Sequence, residues 1–158
     1  METEPATMQL INDCKLANQH LKSQQAMKEI LQYHFSKIVN LPFERAVDHV
    51  TVELKKEGFG IISTINMKEA FKKKLNIDFR NYIILGACNP QFAYEALQEE
   101  DKIGVFLPCN VVIQEHENGE VEVSIVNPEE LTHSVDDLTL RTSATEIKES
   151  LLNVLHNI

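Results

Sequence analysis

The stretch "NYIILGACNPQFAYEAL", residues 81–97, decides the fold because it joins an apolar strand directly to a capped helix. The run 81–87 is apolar and bounded by turn residues, which predicts a central strand buried on both faces. Asn89 is a good helix N-cap, and Pro90 suits the first helical position. A helix is therefore expected to follow the strand at once and to continue to about Glu100.

The segments before this stretch repeat the alternation of strand and helix. Short β-rich runs predict strands over 33–39 and 59–65, and the apolar stripe of 40–60 predicts a helix between them. Asn66, with a glutamate three residues later, starts a short helix over 67–75. These elements place at least three strands before Cys109.

The segment after it, "VVIQEHENGEVEVSI", residues 111–125, predicts a β-hairpin. Asn118-Gly119 at its centre is typical of a two-residue type I′ turn. That turn would set Glu115 opposite Glu122 and leave an acidic hairpin tip. It would also place Val112, Gln114 and His116 on the same face as Val121, Val123 and Ile125.

The whole chain then predicts an α+β fold with two layers. The element order is α-β-α-β-α-β-α-β-β-α-α, with Ser143 and Glu146 as a capping box for the last helix. This order indicates a mixed, mostly antiparallel sheet packed by helices. Residues 33–158 would form one domain, and residues 1–32 an N-terminal helical extension built on an amphipathic helix over 7–31.

Composition restricts the class of protein. The chain has 158 residues and a formal net charge of -9, which argues against binding to duplex nucleic acid. No apolar run approaches the ~20 residues needed to span a bilayer, and the acidic N-terminus does not resemble a secretory signal. Three cysteines without close spacing fit a reducing compartment. We therefore expect a cytoplasmic protein that uses neither membrane nor nucleic acid.

Cys88 is the first candidate for chemistry. It lies between the predicted strand and the start of a helix, where free backbone N–H groups and the helix dipole favour a thiolate and lower the pKa of the thiol. The alternative is a small apolar residue that fills a tight turn.

Cys109 is the second candidate. It follows Pro108, which removes a backbone donor and predicts an edge strand, a bulge or a kink. If the strands that carry Cys88 and Cys109 are neighbours, the thiols would form a reversible disulfide or half of a metal site. His116, beside the acidic tip, is the best imidazole ligand for such a metal. A role as an ordinary exposed residue is the alternative for His116.

The two cysteine motifs and a third segment also carry a resemblance. Cys88-Asn89-Pro90, the segment "LPCNVV" over 107–112 and "GFG" over 58–60 resemble the family called domain of unknown function 302. The resemblance covers roughly 33–135 and implies a small two-layer α+β domain that self-associates, as a dimer. It implies no activity and no cofactor.

Two functions remain open at this point. One is a thiol-centred site for redox, sulfur or soft-metal chemistry, with Asn89, Pro90, Pro108 and Asn110 shaping its turns. The other is a non-catalytic binding or assembly module that self-associates and uses its cysteines only structurally. Nothing in the sequence assigns an enzymatic activity or a small ligand.

Overall fold

A computed structural model describes residues 32–158 of the chain. The predicted helix over 7–31, and with it nearly all of the predicted extension, lies outside the described residues. The element order predicted for the rest of the chain is confirmed.

The described residues form five strands and five α-helices. The last helix begins earlier than expected, because Asp137 is its N-cap and accepts a hydrogen bond from the backbone N–H of Leu140, while Ser143 lies inside the helix. A short 3₁₀ turn covers Ile103–Phe106. In chain order the elements are β1 His34–Val39, α1 Phe43–Lys56, β2 Gly60–Asn66, α2 Met67–Leu75, β3 Tyr82–Cys88, α3 Pro90–Glu99, β4 Cys109–Glu115, β5 Val121–Val126, α4 Pro128–Thr132 and α5 Leu138–Asn157.

The sheet has the order β1-β5-β4-β3-β2, and each of its pairs is antiparallel. The expected mixed sheet is therefore wrong for the described strands. β1 and β2 do run in the same direction through a helical connection, but they lie at opposite edges of the sheet and never pair. The alternation of strands and helices, which suggests parallel pairing, therefore occurs here in a sheet whose described strands form no parallel pair.

β4 is the central strand, and this corrects two predictions. β3 is next to an edge, and only its second half is buried. The strand that carries Cys109 is not an edge strand, because β4 pairs with β3 on one side and β5 on the other. Pro108 lies immediately before the first residue of this strand. At that position the missing proline N–H costs the sheet no ladder hydrogen bond.

One face of the sheet is covered by α1 and α5 and forms the core. Val50 and Leu54 of α1 and Leu151 and Val154 of α5 are almost completely buried. They pack against alternate residues of the central strands, as expected for a half-covered antiparallel sheet. These strand residues are Leu85, Ala87, Cys109, Val111, Ile113, Val121, Val123 and Ile125.

The β4–β5 hairpin has a register one residue away from the predicted one. Gln114 lies opposite Glu122, and Val112 opposite Ser124. The loop is closed by hydrogen bonds from the Gly119 N–H to the His116 carbonyl and from the His116 N–H to the Glu120 carbonyl. Gly119 has a φ of 83°, and no positive φ occurs at Asn118, so the turn is not type I′.

This register decides which residues face away from the helices. We call that surface the open face. Its residues form regular rows across the sheet, such as Ser36, Ser124, Val112 and Ile84. Apart from Gly86, its side chains are half-buried or exposed. The open face comprises His34, Ser36, Ile38, Ser63, Ile65, Tyr82, Ile84, Gly86, Cys88, Asn110, Val112, Gln114, Glu122, Ser124 and Val126.

Gly86 provides a direct test of the packing beside Pro108. A Cβ atom there would lie 2.2 Å from the Ser63 Oγ and 2.7 Å from the Pro108 Cγ. We expect Gly86→Ala to lower the free energy of unfolding by about 1–3 kcal/mol through overpacking. Gly104→Ala is the control, since its nearest neighbour would be the Leu97 Cδ2 at an ordinary 3.9 Å. Urea unfolding measures both; equal stability of Gly86→Ala and the wild type would contradict this packing.

Candidate functional site

Cys88 lies at the end of β3, directly before the N-cap of α3. The Asn89 Oδ1 accepts hydrogen bonds from the backbone N–H groups of Gln91 at 3.2 Å and Phe92 at 3.5 Å. The predicted cap is confirmed. Because Asn89 uses these donors, they are not available to stabilise a thiolate at Cys88.

The pKa of Cys88 is shifted in the direction opposite to the prediction. Burial raises the pKa of the Cys88 thiol, whereas the sequence predicts a lowered pKa. Cys88 is half-buried and lines a shallow groove with Lys55, Gly60 and Pro90. The Lys55 ammonium therefore does not produce a low-pKa thiol at this position.

Cys109 is buried in the core and cannot act as a free nucleophile. Burial raises its pKa to about 11, and the nearby Cys88 adds to the shift. Cys109 lies opposite Ala87 in the sheet, so the next residue along, Cys88, points to the other face. The two cysteines are on neighbouring strands, as the thiol-pair hypothesis requires, but both are free.

The described residues hold no candidate metal centre. Within 32–158, no group of at least three His, Cys, Asp or Glu side chains is arranged to hold an ion. The Nε2 of His116 lies 2.9 Å from the Glu122 Oε2, and this hydrogen bond occupies the imidazole that was the best predicted ligand. Cys88, Cys109 and His116 are therefore not brought together.

The two thiols should differ in accessibility but not in activation. With iodoacetamide on the native protein, we expect Cys88 to react slowly at neutral pH and faster only as pH rises above the free-thiol value of ~8.5. Cys109 should react only after unfolding, because it is 7% exposed. Mass spectrometry of each labelled peptide measures both rates. Fast labelling of Cys88 at pH 6 would contradict this assignment and restore the thiolate hypothesis.

A connected polar network crosses the open face near the hairpin. The guanidinium of Arg80 donates to the Gln114 Oε1 from its Nε at 3.1 Å and its Nη2 at 2.9 Å. Gln114 in turn donates from its Nε2 to the Glu122 Oε2 at 3.0 Å, and His116 binds the same oxygen. The network fixes the Gln114 amide and holds the Glu122 carboxylate on the sheet surface.

Beside this network, the open face contains a groove of about 320 Å³. This volume lies at the lower end of the range of small-molecule sites. Its lining combines two tyrosine rings, aliphatic side chains, neutral polar groups and one carboxylate. The residues are Tyr33, His34, Tyr82, Asn110, Val112, Gln114, Glu122, Ser124, Ile125 and Val126.

His34 is the most unusual residue in this groove. Its ring stacks at a tilt on Tyr33, with 4.3 Å between the centroids. Its Nδ1 atom is buried and has no hydrogen-bond partner among the described residues. A buried polar atom normally has a partner, so an unpaired nitrogen is unusual at this position.

Sequence reasoning missed His34, Tyr82 and Glu122 as site residues. The predicted hairpin register paired Glu122 with Glu115, which removed Glu122 from the face that carries Gln114. The alternation of Val121, Val123 and Ile125 was the available signal, since these residues belong in the core and force Glu122 to the other face.

The fold and the groove define a class: a single-sheet antiparallel α+β domain in which, among the described residues, α1 and α5 cover the face opposite the groove. Residues 35–158 match the family described as domain of unknown function DUF302. The chain belongs to this family, as its cysteine motifs predicted. A similar solved structure is the crystal structure of an uncharacterized conserved DUF302 protein from Bacillus stearothermophilus. It is 30% identical, has a TM-score of 0.74, and the match covers 80% of this chain and 98% of that one.

Two further findings bear on the class. No curated protein matches the chain. Among the described helices, none combines the length and the apolar character that crossing a membrane requires. Neither the family description nor the name of its solved relative states an activity.

Proposed function

We propose that this domain is a binding module that holds a small organic molecule in the groove on its open face. The observation that carries the proposal is the buried His34 Nδ1, which has no partner among the described residues. A ligand that exchanges a hydrogen bond with this atom, as donor or acceptor according to the imidazole tautomer, would remove the energetic cost of leaving it unpaired.

The lining of the groove supports the same proposal. Small-molecule sites are usually apolar concave surfaces with a few polar groups that fix orientation. Val112 and Val126 provide an apolar floor, while Tyr82 provides an aromatic wall. The Asn110 side chain is exposed and makes no hydrogen bond to the described residues, so its amide is available to a ligand.

A thiol-centred function has less support than binding. The pKa values of Cys88 and Cys109 are both raised, and the two residues occupy opposite faces of the sheet. Cys109 has the surroundings of a core residue. The motifs around both cysteines instead supply a helix cap and a close contact between strands.

Chemical-shift mapping of the full chain tests the groove. We expect benzamide, benzamidine or benzoate at millimolar concentration to shift the backbone amides of β1, β4 and β5 around Val112 and Ser124. Ser124→Phe should abolish these shifts, because the ring would fill the groove. Thr64→Phe, which adds the same ring at an exposed position of β2, is the matched control and should keep them.

Two results would contradict the proposal. If none of these probes shifts the groove amides, or if the Ser124→Phe variant keeps every shift of the wild type, the groove is not a ligand site. A folded amide spectrum for both variants confirms that the comparison is between intact proteins.

Self-association is a second candidate function, favoured by the outer edge of β2. No described strand pairs with this edge, and Ile62 at its irregular point is 65% exposed. Exposed apolar edges are templates for pairing with another chain. We expect sedimentation velocity to show a dimer that Ile62→Lys converts to monomer. A monomeric wild-type chain, or a dimer unchanged by Ile62→Lys, would contradict this second candidate.

A further inference from the structure

We infer that the ligand of the groove is a cation: a small amine or amidine with an apolar or aromatic body. This inference rests on the proposed function and adds the charge of the ligand to it. It starts from the charged side chains of the groove. Glu122 is the one Asp, Glu, Lys or Arg side chain that lines the groove within the described residues.

The Glu122 carboxylate has one oxygen available. Gln114 and His116 both contact its Oε2, and no described residue contacts its Oε1. The carboxylate is therefore held in place while half of its accepting capacity remains unused. Such an arrangement suits a ligand N–H that carries positive charge, because charge-assisted hydrogen bonds are the stronger ones.

The surroundings of Glu122 also favour a cation. The neighbouring hollow at the hairpin is lined by Glu117 and Glu120, with Arg80 as its one lysine or arginine among the described residues. Arg80 is engaged with the Gln114 amide and lies over the Phe79 ring, 4.8 Å from its centroid. Negative charge thus dominates this end of the open face, and it attracts cations and repels anions.

The aromatic and apolar lining defines the rest of the ligand. Tyr33 and Tyr82 both border the groove, and aromatic rings attract cations as well as flat apolar groups. His34 and Glu122 lie at opposite ends of the groove. His34 pairs with Val126 of β5, and Glu122 lies four residues before Val126 on the same strand. Four residues span about 13 Å along a strand. A ligand that reaches both has a basic group at the Glu122 end and a hydrogen-bonding polar group at the His34 end.

Three probes of the same shape but different charge test this inference: benzamidine, benzamide and benzoate. We expect the wild-type groove to bind benzamidine about tenfold more tightly than benzamide, as one charge-assisted hydrogen bond implies, and benzoate most weakly. The affinities come from titration of the amide shifts around Val112. Added salt should weaken benzamidine binding and leave benzamide binding unchanged.

Glu122→Gln removes the charge and keeps the shape of the side chain. In this variant, the affinity for benzamidine should fall about tenfold, to that for benzamide. Glu99→Gln, at an exposed position of α3, is the matched control and should behave as the wild type.

The outcomes separate this inference from the proposed function. If the three probes bind the groove equally, or Glu122→Gln has no effect on benzamidine, the groove binds ligands but does not select a cation. If no probe shifts the groove amides at all, both the inference and the proposed function fail. The salt dependence uses the wild-type chain alone, so it decides the question even if Glu122→Gln does not fold.

Discussion

The register of the β4–β5 hairpin is the constraint on which the rest of this structure depends. Gly119 adopts a left-handed conformation that closes the loop and sets Gln114 opposite Glu122. Because strand side chains alternate, this one pairing sends Val123 into the core and Glu122 to the open face. A shift by one residue would exchange core and surface along one of the two strands relative to the other. Both the packing against α1 and α5 and the polar network of the groove follow from it.

The cysteine motifs have a structural explanation that does not require thiol chemistry. Asn89 caps α3, and Gly86 on β3 leaves room for the Pro108 ring and for the Ser63 side chain of β2. Cys109 is the first residue of the central strand, and its side chain is part of the hydrophobic core. The motifs that identify the family are therefore places where strands and a helix are in close contact. The groove lies on the same sheet, along the neighbouring strands.

Much of the fold was predictable because local signals and tertiary structure agree. The caps at Asn66 and Asn89 are both present with the expected helix after them. The hairpin register was not predictable from Asn118-Gly119, because the same dipeptide fits both a two-residue loop and a three-residue loop with a left-handed glycine. Burial of the β5 valines decides between them, and burial is a property of the whole sheet.

The candidate site was predictable only in part. Cys88, Cys109 and His116 have reactive side chains, and the sequence draws attention to them for that reason. The groove consists of ordinary residues from four strands, β1, β3, β4 and β5, and only the pairing of these strands brings His34 near Val126 and Tyr82 near Gln114. No spacing along the chain records such a set, since β1 and β5 are distant in sequence and adjacent in the sheet.

A crystal structure of the full chain with benzamidine tests the central claim most directly. We predict Gln114 opposite Glu122, and density for the ring between Tyr82 and Val112 with its amidine at the free oxygen of Glu122. Glu115 opposite Glu122 would contradict the register. An empty groove with benzamidine bound elsewhere, for example beside Cys88 and Lys55, would contradict the assignment of the groove as the binding site.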